Sequence, residues 1–205
     1  MTLLQLNASI FSGNGQSTRL ADEYVARIRD VDPETELVVR DFAREPVPHL
    51  TAETFGAFLA RPEDRTLEQQ RAVAYSDALI EEIKRADLIV IGLPMYNFGV
   101  PSALKAYFDH IARAGITFRY SEKGPVGLLT GKKAIVFATR GGLYAGTPRD
   151  SQTTYVRDFL AFLGIHDVQF VYAEGLAISE AGKQAALSEA KIRIERLAQP
   201  SLMAA

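Results

Sequence analysis

The chain has 205 residues, 47% of them apolar and 23% charged, with a formal net charge of −2. That length supports one domain with a sizeable core, spanning 1–205, and the near-neutral balance argues against a nucleic-acid or anionic-membrane footprint. There is no cysteine, which excludes disulfides, thiol nucleophiles, cysteine-ligated zinc and iron–sulfur clusters.

The first residues, Met-Thr-Leu-Leu-Gln-Leu, lack a basic n-region and read as a strand over Leu3 to Leu6. No apolar run reaches the length of a membrane span, so a cytoplasmic protein is the expectation. The segment Asn7 to Ser17 is small and polar, and a helix follows from about Ser17 to Ile28 with Ala21, Tyr24, Val25 and Ile28 on one face. Glu36 to Arg40 is a second strand. The stretch from Asp41 to Arg65 carries Pro46, Pro48 and Pro62 and reads as an irregular excursion. Long excursions of this kind are usually functional or partner-facing, and Phe55, Phe58 and Leu59 suit a dimer interface. Thr66 and Gln69 form a capping box that opens a helix ending near Arg85, with Val73, Ile80 and Ile83 inward.

Leu88 to Leu93 is a nearly unbroken apolar run, the signature of a strand buried on both faces. Pro94 ends it, the loop Met95–Gly99 follows, and Pro101 opens a helix whose apolar face is Leu104, Tyr107, Phe108 and Ile111. Ile116–Tyr120 and Ser121–Pro125 suggest a short hairpin or flap. Ala134–Thr139 is a fourth buried strand, ending in Arg140-Gly141-Gly142. Thr147-Pro148 starts a helix that aligns Tyr155, Phe159, Phe162 and Leu163. Val168–Tyr172 is a fifth strand, and a last helix after Ser179 carries Leu187, Ile194 and Leu197. Five alternations of strand and helix predict an α/β fold with a doubly wound parallel sheet, order 2-1-3-4-5 in flavodoxin-like fashion, with helices on both faces.

That order brings the loops after strands one, three and four to one rim, with the crevice between strands one and three. In the first loop Ser9, Gln16 and Ser17 supply side-chain donors, and Gly13 and Gly15 let backbone amides approach at a helix N-terminus, which is the chemistry of a phosphate cradle. The plainer reading makes Ser17 an N-cap and the glycines turn residues. In the third loop Tyr96 and Phe98 offer flat apolar faces while Asn97 and the backbone offer polar groups. A planar heteroaromatic such as a flavin ring needs both; aromatics tucked under the helix are the alternative.

Other motifs carry less. The first loop lacks the G-x-G-x-x-G dinucleotide fingerprint, and Gly127–Lys133 has neither the glycine spacing nor the hydroxyl residue of a P-loop. The Asn7-Ala8-Ser9 sequon sits at a strand end. No G-x-S-x-G elbow is present, and His49, His110 and His166 have no metal-ligand spacing, which leaves them as surface or packing histidines.

Taken together, Pro94-Met-Tyr-Asn-Phe98, Arg113–Tyr120, Thr130–Lys133 and Arg140-Gly-Gly142 resemble the bacterial FMN-dependent NADH:quinone oxidoreductase/azoreductase family, over Leu4 to about Ile178. The resemblance implies a flavodoxin-like homodimer with one FMN per subunit and its two sites at the dimer interface. Ser9 and Gly15-Gln16-Ser17 would hold the phosphate. Pro94 and Met95 to Phe98 would embrace the ring and ribityl chain, and Thr139, Arg140, Gly141 and Gly142 would line the ring's polar edge. The chain departs from the family at Gly15 and Thr139, where serine is common, and Tyr144 occupies a variable position.

Without thiols, redox chemistry falls to a bound flavin. The expected activity is two-electron, ping-pong hydride transfer from NADH or NADPH to a quinone or aromatic azo compound, with no catalytic side chain and no metal. Asn97, Tyr120 and Phe162 are candidate substrate contacts, the latter two from a partner subunit, and Arg61 is a candidate for the dinucleotide's phosphates. A flavodoxin-type single-electron carrier or a non-catalytic FMN-binding regulatory protein is the alternative; such carriers tend to be shorter and strongly acidic.

Overall fold

A computed structural model of the chain describes residues 1–199. Its parallel sheet is built from β1 (Thr2–Asn7), β2 (Glu36–Asp41), β3 (Leu88–Pro94), β6 (Lys133–Thr139) and β7 (Asp167–Ala173). A two-stranded antiparallel hairpin, β4 (Phe118–Ser121) with β5 (Gly124–Gly127), stands apart from it. The strand order is β2-β1-β3-β6-β7. Counted without the hairpin, this is the predicted 2-1-3-4-5, and the hairpin is the predicted flap.

The central strands explain the layering. All seven residues of β3 are buried, and successive side chains of a strand point to opposite faces. Leu4, Leu6, Ile89 and Ile91 therefore enter one core, with α3 (Leu67–Arg85), α4 (Ser102–Ile111) and α5 (Ser151–Leu163). Leu3, Leu88 and Val90 enter the other, with α1 (Gln16–Val31) and α6 (Glu180–Leu197). Each fully buried Leu or Ile contributes about 1.5–3 kcal/mol, so both faces are held by apolar burial. None of the described helices is long and apolar enough to cross a membrane.

Two glycines set where α1 begins. A Cβ on Gly92 of β3 would lie 3.1 Å from the carbonyl oxygen of Ser17 and 3.3 Å from the amide of Thr18. The first turn of α1 thus rests on the strand's backbone at the carboxyl end of the sheet, an approach that a side chain at 92 would obstruct. The helix starts at Gln16 with Gly15 as N-cap, one residue before the predicted start.

The 41–65 segment is more regular than its prolines suggested. It contains α2 (Ala52–Leu59), capped by the Thr51 hydroxyl, and a short 3-10 turn over Pro62–Asp64. Proline cannot supply a helical N–H but is harmless between elements. The segment is pinned to α3 and α4: His110 Nε2 lies 3.0 Å from the Pro48 carbonyl, and the Arg113 guanidinium sits 4.0 Å from the Phe58 ring centroid. Burial lowers the His110 pKa, although the Pro48 carbonyl and Asp109 pull it up. His110 is a packing histidine. The predicted capping box of α3 is present, with Gln69 N–H donating to Thr66 and Thr66 N–H donating to Gln69.

Candidate functional site

Three loops meet at the carboxyl edge of the sheet, following β1, β3 and β6. They enclose a cleft of about 330 Å³ lined by Ser9, Gly15, Gln16, Pro94, Met95, Tyr96, Thr139, Arg140 and Gly141, together with Phe11, Asn14 and Leu176. Nine of the thirteen expected cofactor-binding residues therefore share one surface.

The first loop is knitted to the second. Ser9 Oγ accepts from Phe11 N–H at 3.2 Å and lies 3.5 Å from the Tyr96 hydroxyl, which itself accepts from Ile10 N–H at 3.3 Å. At the cradle's end no side chain caps α1, so its first amides and its dipole are presented to the cleft. Ser17 is not the N-cap of the plainer reading. It is fully buried, and among the described residues its hydroxyl, like that of Thr18, has no hydrogen-bond partner. Buried polar groups are normally satisfied, so an orphaned pair beside an uncapped helix start is a feature that the fold alone does not account for.

The second loop is a two-residue turn. Tyr96 and Gly99 exchange backbone hydrogen bonds of 3.3 and 2.9 Å around Asn97 (φ 49°) and Phe98 (φ 64°). A left-handed conformation is uncommon for a non-glycine residue and more so for a bulky one, and costs of order 1–3 kcal/mol at each position. The turn is held from α5: Gln152 Nε2 donates to the Pro94 and Gly99 carbonyls at 2.9 Å each, and the Ser151 hydroxyl donates to the Phe98 carbonyl. Phe98 is 54% exposed, its ring edge-on to Tyr144 at 5.5 Å. Asn97 borders a neighbouring hollow of about 270 Å³ with Ser9, Tyr96 and Phe42.

The third loop is anchored by Arg140. Its side chain is fully buried, with Nη2 donating to Asp150 at 2.7 Å and Thr153 at 3.1 Å, and Nη1 donating to Glu174 at 3.1 Å. Glu174 also accepts the N–H groups of Tyr144 and Ala145, both at 2.9 Å. Arg140 therefore meets the cleft through its backbone, and its charge shapes the loop. Burial pulls the Asp150 pKa up, but hydrogen bonds from Arg140 and Thr153 and the guanidinium's charge outweigh it and leave the carboxyl below its ordinary value. Met95 N–H donates to the Thr139 carbonyl at 2.9 Å, joining this loop to the turn.

Three expected substrate contacts lie elsewhere in the chain. Tyr120 is 75% exposed on the β4–β5 hairpin, edge-on to Phe118. Phe162 packs on Phe118 with centroids 4.3 Å apart. Arg61 is exposed after α2 and paired with Asp64 at 2.7 Å and Glu63 at 3.6 Å. None of the three lines the cleft. Asp150, Ser151, Gln152 and Glu174 organise the site yet were not singled out from sequence. Asp150 carried a readable signal, the N-cap spacing to Thr153; Gln152 carried none. The lysines of the Gly127–Lys133 segment lie at the opposite edge of the sheet, where Lys132 donates to the Lys84 and Ala86 carbonyls at 2.6 Å each and so closes the end of α3.

A family model described as flavodoxin-like fold matches residues 1–198. The chain is 54% identical over 195 residues to an FMN-dependent NADH:quinone oxidoreductase of Cellvibrio japonicus, covering 95% of this chain and 97% of the relative. It is 53% identical over 190 residues to FMN-dependent NADH:quinone oxidoreductase 6 of Burkholderia lata, covering 93% and 96%. Among solved structures, an azoreductase of Bacillus anthracis superposes with a TM-score of 0.89 at 26% identity, covering 97% of this chain and 98% of that one. An FMN-dependent NADH-azoreductase of the same species, in complex with FMN, gives 0.86 at 27% identity, covering 97% and 99%.

Proposed function

The chain belongs to the family of FMN-dependent NADH:quinone oxidoreductases and azoreductases with the flavodoxin-like fold, and we propose that it is a cytoplasmic, homodimeric NAD(P)H oxidoreductase that reduces quinones and aromatic azo compounds. The observation that carries this reading is the meeting, on one cleft, of the uncapped α1 start at Gly15 and Gln16 with Tyr96 of the strained turn, the orphaned Ser17 hydroxyl being buried one residue further into the helix. An anion end and a flat, half-polar wall side by side fit a flavin mononucleotide.

In that site Ser9, Gly15, Gln16 and Ser17 hold the phosphate, through the first-turn amides of α1 and through hydroxyls. Pro94 to Phe98 would form the wall for ring and ribityl chain, and Thr139 to Gly142 would serve the ring's polar edge with backbone groups that the Arg140 network fixes in place. Bound there, FMN would supply the redox chemistry, a two-electron hydride transfer between NADH or NADPH and the acceptor. The protein's own work is placement. With one side of the flavin against the sheet edge and the turn, a single slot would remain, which donor and acceptor would use in turn, a ping-pong cycle. Asn97 and the exposed Phe98 of the turn would touch whichever occupies it. Tyr120 and Phe162, remote from the cleft of their own chain, roof the slot of a partner subunit. Arg61 meets the donor's phosphates only by giving up Asp64 and Glu63.

The test is the visible spectrum of the purified protein before and after anaerobic NADH. A flavin band that bleaches with NADH and returns with added quinone, over many turnovers, supports the enzyme. A band that does not bleach under NADH points to a single-electron carrier or a regulatory FMN-binding protein.

A further inference from the structure

Gln152 lies in the first turn of α5, fully buried, and spans the 94–99 loop. Its two amide hydrogens go to the carbonyls of Pro94 and Gly99, at 2.9 Å each. Those carbonyls bracket the turn, one at the last residue of β3 and one just beyond Phe98. Because both partners are acceptors, the amide has one possible orientation, and it leaves Gln152 Oε1 buried without a partner among the described residues. A buried acceptor left unsatisfied opposes folding, as do the positive φ angles of Asn97 and Phe98. Two unfavourable features are thus locked to each other through two good hydrogen bonds. The same turn of α5 carries Ser151, which donates to the Phe98 carbonyl, and follows Asp150, which binds Arg140 of the third loop. One helix end therefore fixes both walls of the cleft.

We infer that Gln152 is the positioning residue that holds the Tyr96–Gly99 turn in its left-handed shape, and so pre-forms the wall on which the cofactor lies. The consequence for the cofactor rests on the function proposed above; the consequence for the turn does not. Pre-formation matters because ordering a loop on binding subtracts from affinity.

Two variants test it: Gln152→Met, which keeps length and packing but cannot donate, and Gln152→Asn, one methylene shorter and able to reach one carbonyl. Hydrogen exchange of flavin-free protein is read over 94–101, with FMN affinity measured by fluorescence titration. In Gln152→Met the amides of Tyr96 and Gly99 should exchange at least tenfold faster, with β3 and α3 unchanged, and the FMN Kd should rise at least tenfold. Gln152→Asn should fall between. In an Asn97→Gly/Phe98→Gly background, where positive φ carries no steric penalty, the exchange effect of either Gln152 variant should shrink to under threefold. General damage to packing would not respond to that background. If Gln152→Met does not fold, Gln152→Asn in both backgrounds makes the same comparison. Wild-type exchange in the variants, or an equal effect with and without the glycines, overturns the inference. Failure of the wild-type protein to bind FMN would overturn the functional reading alone, since the exchange arm is read without flavin.

Discussion

A Cβ built on Gly15 would stand 2.1 Å from the Ser9 hydroxyl oxygen and 2.5 Å from the Ser9 Cβ. The two residues share one space, and in this chain Ser9 fills it. By the family resemblance, glycine at 15 means one hydroxyl contact to phosphate lost or replaced by a backbone N–H; in the structure its missing side chain also leaves room for Ser9. Gly15→Ala should therefore overpack the loop and cost about 1–3 kcal/mol in urea unfolding of the flavin-free protein. Adding Ser9→Gly should recover most of that stability, because it removes both clashing atoms. A Gly15→Ala protein as stable as wild type would show that the loop yields freely.

Ser17 separates stability from binding. Its hydroxyl is buried with no partner, a state that disfavours folding by about 1–3 kcal/mol unless a ligand supplies the missing bond. Ser17→Ala should leave the flavin-free protein as stable as wild type or more so, while raising the FMN Kd several-fold. Thermal unfolding with and without FMN measures both at once, and the two effects should have opposite signs. A variant that loses stability without FMN and keeps wild-type affinity would mean the hydroxyl serves only the fold.

Arg140 neutralises two carboxylates that would otherwise be stranded. Arg140→Met should cost about 3–5 kcal/mol, because one member of a buried ionic cluster is removed and its partners remain. The same cluster sets an acid limb. Asp150 has a folded pKa below its ordinary value of about 3.9. Its stabilisation is therefore complete above the unfolded pKa and is lost as pH falls through the folded one. Unfolding free energy measured from pH 6 to pH 2 should drop below about pH 4, and Asp150→Asn should flatten that limb.

The sheet was legible because β3 and β6 are apolar on both faces and the helices keep strict 3.6-residue spacing at Leu104, Tyr107, Phe108 and Ile111. Thr66 and Gln69 announced α3 through local chemistry alone. The 52–59 helix was hidden by its flanking prolines and by Gly56, since local propensity there is weak and tertiary contacts at Pro48 and Phe58 decide the outcome. In the site, Ser9, Gln16, Tyr96 and Gly141 could be read from loop composition and sheet order. Gln152 and Glu174 could not, because their roles depend on where α5 and the end of β7 meet loops some 30 to 60 residues away.

The 41–65 segment offers a test of the donor side. Arg61 is 73% exposed and already paired, so truncation should barely change stability. Arg61→Ala should raise KM for NAD(P)H severalfold while leaving KM for quinone unchanged in steady-state assays. Equal changes in both constants would remove the residue from the donor's path.

Tyr120 decides whether a second subunit completes the site. In its own chain the ring is 75% exposed, edge-on to Phe118, and lies outside the cleft. Phe162 is less informative as a first target, since it packs on Phe118 and Phe159 and its truncation would also open the core. Tyr120→Ala should therefore leave unfolding free energy within about 0.5 kcal/mol of wild type and FMN fully bound. A stacked aromatic contact is worth about 0.5–1.5 kcal/mol, so loss of the roof should change relative kcat/KM among quinones and azo dyes by about 2- to 12-fold. Light scattering should report a dimer in both proteins. With donor and acceptor varied together, wild type should give parallel double-reciprocal lines, because one slot excludes simultaneous occupancy. Intersecting lines, with both ligands bound at once in equilibrium binding, would mean two separate sites. Unchanged acceptor selectivity in Tyr120→Ala would return the tyrosine to the hairpin alone.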